Sequence, residues 1–304
     1  MRIVILSRGA HLYSTQSLIE AGRGRGHEIK IVDLTRLSFV IDDDGNSQIL
    51  NEGTPLMQAD AVIPRIGSSV TQLGASVIRQ FELIGTYSLL KSSALLQSRD
   101  KLRCSQKLAQ MHIPVPKTVW LGYDQDIPSI VRKLGGYPVI VKLLEGTHGN
   151  GVLLLDNLTA LRSIMNLLMK KGERTILQEF IAESKGADFR AFVVGDKVVA
   201  SMKRQAAEGE FRSNLHRGAT ATPLLLTPEE QELAVRATKA LSLEVAGVDI
   251  LRSERGPLIM EINASPGLEG IETSTGIDIA FEIMLHLEQQ LIESKNYSNS
   301  TPRK

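Results

Sequence analysis

A chain of 304 residues with 42% hydrophobic content is long enough for two or three packed units, because single cores stop growing near ~250–300 residues. Lysine plus arginine (35) nearly balances aspartate plus glutamate (34), so a formal charge of +1 excludes any general affinity for nucleic acid or membrane surfaces and any basic site must be local. A single cysteine, Cys104, excludes an internal disulfide framework and reads as a small helix-packing residue of a reducing compartment.

The chain opens on a short apolar run, Ile3 to Leu6, which reads as a buried strand. The run lacks the longer apolar region and cleavage site of a signal peptide, and no stretch approaches the ~20 apolar residues of a membrane span. A cytoplasmic protein without membrane contact is expected. A helix over 14–22 and a strand over 28–32 complete a β-α-β unit, and the segment Gly22-Arg23-Gly24-Arg25-Gly26 between them ends a helix and precedes a strand. A dinucleotide fingerprint follows a strand and opens a helix, so this segment reads as a glycine-rich helix stop. A strand end at Ala61-Val62-Ile63 and a helix over 70–84 close a compact first domain near residue 96. A helix over 100–111, an irregular stretch with Pro114, Pro116 and Pro128, and a shorter α+β stretch to about residue 180 follow. A hairpin over 189–200 turning on Gly195-Asp196, a helix over 228–241, an apolar strand pair and a helix over 279–291 complete the fold, with a polar, mobile tail over 289–304.

Two apolar strands, Ala246-Gly247-Val248-Asp249-Ile250-Leu251 and Pro257-Leu258-Ile259-Met260-Glu261-Ile262-Asn263, predict a hairpin. Alternation puts Glu261 and Asn263 on one face and Met260 and Ile262 on the other. A three-residue turn over 254–256 sets Asp249 opposite Glu261. Facing carboxylates need a compensating cation, and magnesium, which prefers oxygen ligands, fits; the alternative is a solvated hairpin face. Upstream, Tyr137-Pro138-Val139-Ile140-Val141-Lys142 reads as a strand before Glu145-Gly146-Thr147-His148-Gly149-Asn150-Gly151, either a phosphate-cradling loop or an ordinary hairpin turn. Lys203-Arg204 with Arg212-Ser213-Asn214-Leu215-His216-Arg217-Gly218 forms either an anion site or a solvated loop. Gln178-Glu179-Phe180-Ile181 and Ala187-Asp188-Phe189-Arg190 lie between two β-rich parts, where connectors either line clefts or simply link lobes.

Taken in order, these segments, together with Pro64-Arg65-Ile66-Gly67, Arg99-Asp100-Lys101-Leu102-Arg103 and Met260-Glu261-Ile262-Asn263-Ala264-Ser265-Pro266-Gly267-Leu268-Glu269-Gly270, resemble the RimK family of ATP-grasp glutamate ligases over most of the chain. The resemblance implies a mixed α/β and α+β fold. A Rossmann-like pre-ATP-grasp domain over 1–96 would precede a two-lobed ATP-grasp domain over 97–288, with a nucleotide lobe near 105–180 and a metal and substrate lobe near 181–288. It implies ATP contacts at Lys101, Lys142, Glu179, Phe180, Asp188, Arg212, Ser213 and Asn214, and two magnesium or manganese ions per subunit on Asp249, Glu261 and Asn263. Arg212, Asn214 and Arg217 would serve catalysis, with Arg65 and Arg217 meeting substrate carboxylates. His148 and Ala219 stand where close relatives carry glutamine and glycine.

The family chemistry is carboxylate activation as an acyl phosphate and capture by an amine, with residues 146–151 as a closing lid. In RimK proteins the acceptor is the C-terminal glutamate of the sixth protein of the small ribosomal subunit and the donor amine is that of L-glutamate. The family also implies a homo-oligomer, a tetramer, and no direct contact with nucleic acid. Two other readings stay open: an amino-acid ligase of the same fold acting on a carrier protein or small coenzyme, and a nucleotide-binding regulator without catalysis. Asp249, Glu261 and Asn263 together speak against the regulator.

Overall fold

The computed structural model describes residues 1–122, 126–144, 151–215 and 218–300, with the backbone alone for 295–300. In the N-terminal unit, β1 (Arg2–Leu6), α1 (Tyr13–Gly24) and β2 (Glu28–Val32) form the expected crossover, with Arg2 opposite Glu28 in a parallel pair. Gly26, at φ +77°, turns the chain after α1, so the glycine-rich segment is a helix stop. A small antiparallel sheet of β3 (Leu37–Ile41), β4 (Ser47–Asn51) and β5 (Thr54–Pro55) is inserted next. The main sheet then resumes with β6 (Ala61–Pro64), α2 (Thr71–Leu83) and β7 (Tyr87–Ser88), in the order β2-β1-β6-β7, and α3 (Ser92–Arg99) leads out. Ile3 and Ile5 are buried on one face of β1, Val4 and Leu6 on the other, as a parallel sheet covered on both sides requires.

The next unit begins with α4 (Lys101–Gln110), capped by Asp100, whose Oδ1 accepts from the backbone N–H of Leu102 and Arg103 at 3.0 Å. Cys104 packs in this helix, and burial pushes its thiol up to about 12. Then come β8 (Thr118–Trp120), α5 (Ile127–Leu134), β9 (Val139–Leu143), β10 (Val152–Leu155), α6 (Leu158–Lys170) and β11 (Thr175–Glu179). The antiparallel order is β10-β9-β11-β8. Val139, Val141 and Leu177 pack against Val131, Leu134, Leu161 and Met165 of α5 and α6. Alternation therefore turns Ile140, Lys142 and Gln178 to the other face.

The third unit has β12 (Ala187–Val194) and β13 (Lys197–Gln205) joined at Gly195-Asp196, as expected, then β14 (Thr220–Pro223), α7 (Pro228–Ala240), β15 (Val245–Ser253), β16 (Gly256–Asn263), α8 (Glu269–Thr275) and α9 (Ile279–Ser300). The antiparallel order is β14-β13-β12-β15-β16. One face, with Phe189, Ala191, Val193, Val248 and Ile250, packs in the core that holds Leu233, Ala234 and Ala237 of α7. The other face is divided along the strands. Phe192, Val194 and Met202 share a core with Ile283, Met284 and Leu287 of α9 and with Ile3 and Ile5 of β1, whereas Asp188, Arg190, Arg204, Asp249 and Glu261 occupy the opposite end.

Two expectations change in detail. The turn between β15 and β16 has two residues, Glu254 and Arg255, because Ser253 pairs with Gly256. Continued regularly, that register would oppose Asp249 to Met260. An irregularity makes Ile250 face Ile259 while Asp249 faces Glu261, so Met260 is an extra, bulged residue. The facing acids are as expected, but the bulge produces them, and it brings Met260 to the cleft beside Glu261. The last helix is also longer than expected: α9 continues through Ser300, where an end at 291 was expected. Leu287 and Leu291 are buried and Glu288 binds Arg25 at 2.6 Å and His27 at 2.6 Å, so the helix is nucleated by docking and each later residue adds one bond to an existing ladder. Residues 301–304 lie outside the described residues. Among the described residues, no helix is long and apolar enough to cross a membrane.

Phe192 is fully buried where the third unit meets α9 and β1. Phe192→Ala is expected to cost about 3–5 kcal/mol, read as a lower denaturant midpoint with the folded circular dichroism spectrum retained in buffer.

Candidate active site

The polar end of the five-stranded sheet faces the Lys142 side of the β9-β11 sheet across a cleft. A cavity of about 110 Å³ lies there, walled by Ile140, Lys142 and Gln178 from one lobe and by Asp188, Arg204 and Asp249 from the other. A second cavity, of about 600 Å³, continues toward α2 and α4, and the two share Lys101, Lys142, Gln178, Met260 and Glu261 as a common wall.

The electrostatics of the site follow from strand register. Asp188 pairs with Arg204 between β12 and β13, Arg190 with Asp249 between β12 and β15, and Asp249 with Glu261 between β15 and β16. Paired positions share a face, so charges that are far apart in sequence meet in rows. Arg190 donates Nε to Asp249 Oδ1 and Nη2 to Oδ2, both at 2.7 Å. Arg204 grips Asp188 with Nε and Nη2, both at 2.6 Å, and Nη2 also reaches Asp249 Oδ2 at 2.9 Å. The Ser213 hydroxyl donates to Asp188 Oδ2. Both aspartates are 1% exposed. Burial raises the Asp249 carboxyl, but Arg190 and Arg204 outweigh it and hold the group below its ordinary range. For Asp188, which shares Arg204 with Asp249, burial prevails and the carboxyl lies above that range. Burial opposes charge on Arg204, yet Asp249 and Asp188 keep it firmly protonated.

Lys142 projects from β9 into this field. Burial brings its ammonium down to about 8 from 10.5, with Glu261 and Asp249 opposing the fall and Lys101 assisting it. Lys101 Nζ donates to the Leu144 carbonyl at 3.5 Å. Glu179 closes the other end: its Oε1 accepts from the Lys117 N–H at 2.5 Å and from Arg255 in the β15-β16 turn. Phe180 meets Phe211 edge to face, with centroids 6.4 Å apart, and forms the apolar part of the wall. Arg212 is held by Glu210 at 2.9 and 2.7 Å and donates to the Val152 carbonyl at 3.4 Å, spanning the two lobes. That guanidinium holds the Glu210 carboxyl down at about 2.

The structure thus brings Lys101, Lys142, Glu179, Phe180, Asp188, Arg212, Ser213, Asn214, Asp249 and Glu261 to one cavity, and Asn263 to the adjoining one. Arg65 is elsewhere. It is half-buried, donates to the Pro266 carbonyl, and walls neither cavity. Arg217, His216, His148 and residues 146–150 of the expected lid lie outside the described residues. Sequence reading passed over Phe211, gave Arg190 and Arg255 no role beyond the segments that contain them, and saw Arg204 only as part of a basic cluster. The signal for Arg190 was present, since Asp188 and Arg190 alternate on one strand face.

For a divalent ion, the donors at hand are the facing carboxylates of Asp249 and Glu261 and the amide of Asn263, two residues beyond Glu261. Among the described residues no three His, Cys, Asp or Glu side chains converge, so the set is two acids and an amide. All three offer oxygen, and one or two protein carboxylates completed by water and phosphate oxygens suit magnesium. The guanidiniums on Asp249 leave further lone pairs on its oxygens. The residues present fit the ion.

Because Lys142 is depressed in the folded chain, the unfolded chain binds more protons between pH about 8 and 10.5, and stability rises with pH across that window. With lysines labelled at ¹³Cε, the nuclear magnetic resonance signal that vanishes in Lys142→Ala is expected to titrate near pH 8, well below those of exposed lysines.

A family model described as the RimK PreATP-grasp domain matches residues 1–95, and one described as the RimK-like ATP-grasp domain matches residues 98–287. A probable alpha-L-glutamate ligase of Pseudomonas aeruginosa is 52% identical over 289 residues, covering 95% of this chain and 96% of that protein. One from Xanthomonas axonopodis pv. citri is 52% identical over 294 residues, 97% and 99% of the two chains. Among solved structures, the ATP-grasp ligase PsnB complexed with minimal precursor, Mg and ADP superposes with a TM-score of 0.72 at 21% identity, over 95% of this chain and 98% of that one. The D-alanine–D-alanine ligase of Bacillus anthracis gives 0.70 at 18%, over 98% and 99%. At those identities the structural likeness shows the ATP-grasp fold alone. The family matches and the close relatives go further: this chain belongs to the RimK family of ATP-grasp enzymes and is an ATP-dependent ligase.

Proposed function

We propose that the chain adds L-glutamate to the C-terminal glutamate of the sixth protein of the small ribosomal subunit, activating the acceptor carboxylate as an acyl phosphate. The observation that carries the reading is the row Arg190, Asp249 and Glu261, held in register across three strands beside Lys142 in a cleft between two lobes. The name alpha-L-glutamate ligase carried by relatives at 52% identity supports the amino acid. In this reading residues 1–96 form the pre-ATP-grasp domain and 97–288 the ATP-grasp domain.

Glu179 and Phe180 border the adenine, with Phe211 against Phe180. Asp188 meets the sugar end. Lys142, Lys101, Arg212, Ser213 and Asn214 bind the phosphates, and Asp249, Glu261 and Asn263 hold two divalent ions. Magnesium or manganese, when bound, neutralises phosphate charge and helps orient the transferring group. The chain's own cations do the same work from fixed positions, which lowers the reorganisation needed as charge moves toward the leaving oxygen. A carboxylate oxygen of the acceptor attacks the γ-phosphorus, the bond to ADP breaks, and an acyl phosphate forms. The uncharged amine of glutamate attacks the acyl carbon, phosphate leaves with the bonding pair, and the amine gives up its proton. The closed lobes keep water from the intermediate. Arg217 is assigned to the acceptor carboxylate.

Incubation with ATP, glutamate and a peptide carrying the acceptor's C-terminal sequence, followed by mass spectrometry, tests the reading. It predicts a gain of whole glutamate residues. A gain on a carrier protein or small coenzyme but none on the peptide would move the activity to another acceptor. Glu261→Gln is expected to reduce phosphate release by at least ~100-fold while leaving the fold intact, and unchanged turnover would remove Glu261 from the metal site.

A further inference from the structure

The larger cavity, about 600 Å³, is walled by the N-terminal unit at Ser69 and Thr71 as well as by both lobes. Two of its cations, Lys101 and Lys142, already belong to the phosphate end. Among the described residues, three more guanidiniums, Arg99, Arg103 and Arg174, also line it, with two carboxylates, Asp100 and Glu261. Asp100 is committed to capping α4 and lies 3.6 Å from Arg103, while Glu261 faces Asp249. The described part of the wall therefore holds more guanidiniums than carboxylates, in a chain that is nearly neutral.

Arg99 is the distinctive residue of this wall. One of its amino nitrogens donates to the Ile66 carbonyl at 2.7 Å, which fixes the guanidinium between the N-terminal unit and the lobes. Its Nε is buried and has no hydrogen-bond partner, alone among the buried side-chain nitrogens and oxygens of the described residues. A buried donor left unpaired is destabilising, and in native chains such a group marks strain, a bound water or ion, or a functional contact. The guanidinium fork matches a carboxylate in shape and charge.

We infer that this cavity binds the carboxylates of a glutamate unit, either the free incoming amino acid or the residue that ends the acceptor, with Arg99 as the residue that selects acid over amide. The inference rests on the proposed glutamate ligation. A neutral glutamine side chain in the same place offers the guanidinium one amide oxygen instead of a charged two-oxygen fork, and a site built around a charged partner discriminates against an analogue that lacks the charge.

The test is calorimetric titration of the full chain, with and without Mg²⁺ and a non-hydrolysable ATP analogue. The probes are L-glutamate, L-glutamine, and peptides ending in Glu-Glu or Gln-Gln. At least one acidic probe is expected to bind about tenfold or more tightly than its amide counterpart, and the probe that does so identifies the source of the carboxylate. Arg99→Gln is expected to erase that preference and Arg99→Lys to restore part of it, with affinity for the ATP analogue within about twofold of wild type. Should Arg99→Gln fail to fold, Arg174→Gln is expected to weaken the preference in the same direction. An unchanged preference in the folded variants, equal binding of acid and amide by the wild type, or no binding of either acidic probe overturns the inference. Nucleotide binding is read separately: its absence would sink the nucleotide assignment, whereas normal nucleotide binding with charge-blind probes sinks only this subsite.

Discussion

Asp249 is a fully buried carboxylate gripped on both oxygens by Arg190 and on one by Arg204, and the geometry of the cleft depends on that arrangement. A carboxylate out of water is strongly destabilising unless it is paired and hydrogen-bonded, so these guanidiniums are what permit an acid at the floor of the cleft. Because Arg204 also holds Asp188, two acids and two arginines form one network whose positions are set by three adjacent strands. Cross-strand register thereby becomes electrostatics. The network is already formed around the cleft, and this is the condition under which charged groups act on a bound triphosphate with little reorganisation.

The same alternation that builds the network also anchors it. One face of the five-stranded sheet packs against α7, and the apolar end of the opposite face packs against α9 and the N-terminal sheet. The polar end is left to the cleft. Contacts at its rim tie the lobes together: Arg255, in the turn of the β15-β16 hairpin, pairs with Glu179 at the end of β11, and the Glu254 N–H donates to Glu183 at 3.2 Å. A turn that closes a hairpin thus also ties one rim of the site.

Much of this was legible in the sequence because it rests on short-range periodicity. The β-α-β opening, the turn at Gly195-Asp196 and the pairing of Asp249 with Glu261 follow from apolar runs, glycines and alternation. The bulge at Met260 was hidden because it costs one residue in a run whose composition does not change, and a longer turn gives the same pairing. Arg190 and Arg204 were hidden for another reason. Their partners are 59 and 16 residues away along the chain, and only the strand order brings them together. The small sheet of β3, β4 and β5, with short strands and mixed exposure, carries weak alternation and was missed. The extension of α9 depends on tertiary docking, which local polarity cannot reveal.

The central claim is that Asp249, Glu261 and Asn263 hold divalent ions against the phosphates of ATP. The most direct measurement is an anomalous difference map of crystals grown with Mn²⁺ and a non-hydrolysable ATP analogue. The account predicts metal peaks within coordinating distance, roughly 2.0–2.3 Å, of oxygens from all three side chains and of the phosphates. A triphosphate bound in the cleft with its metal ions held elsewhere, and with Asp249 still engaged only by Arg190 and Arg204, would contradict it.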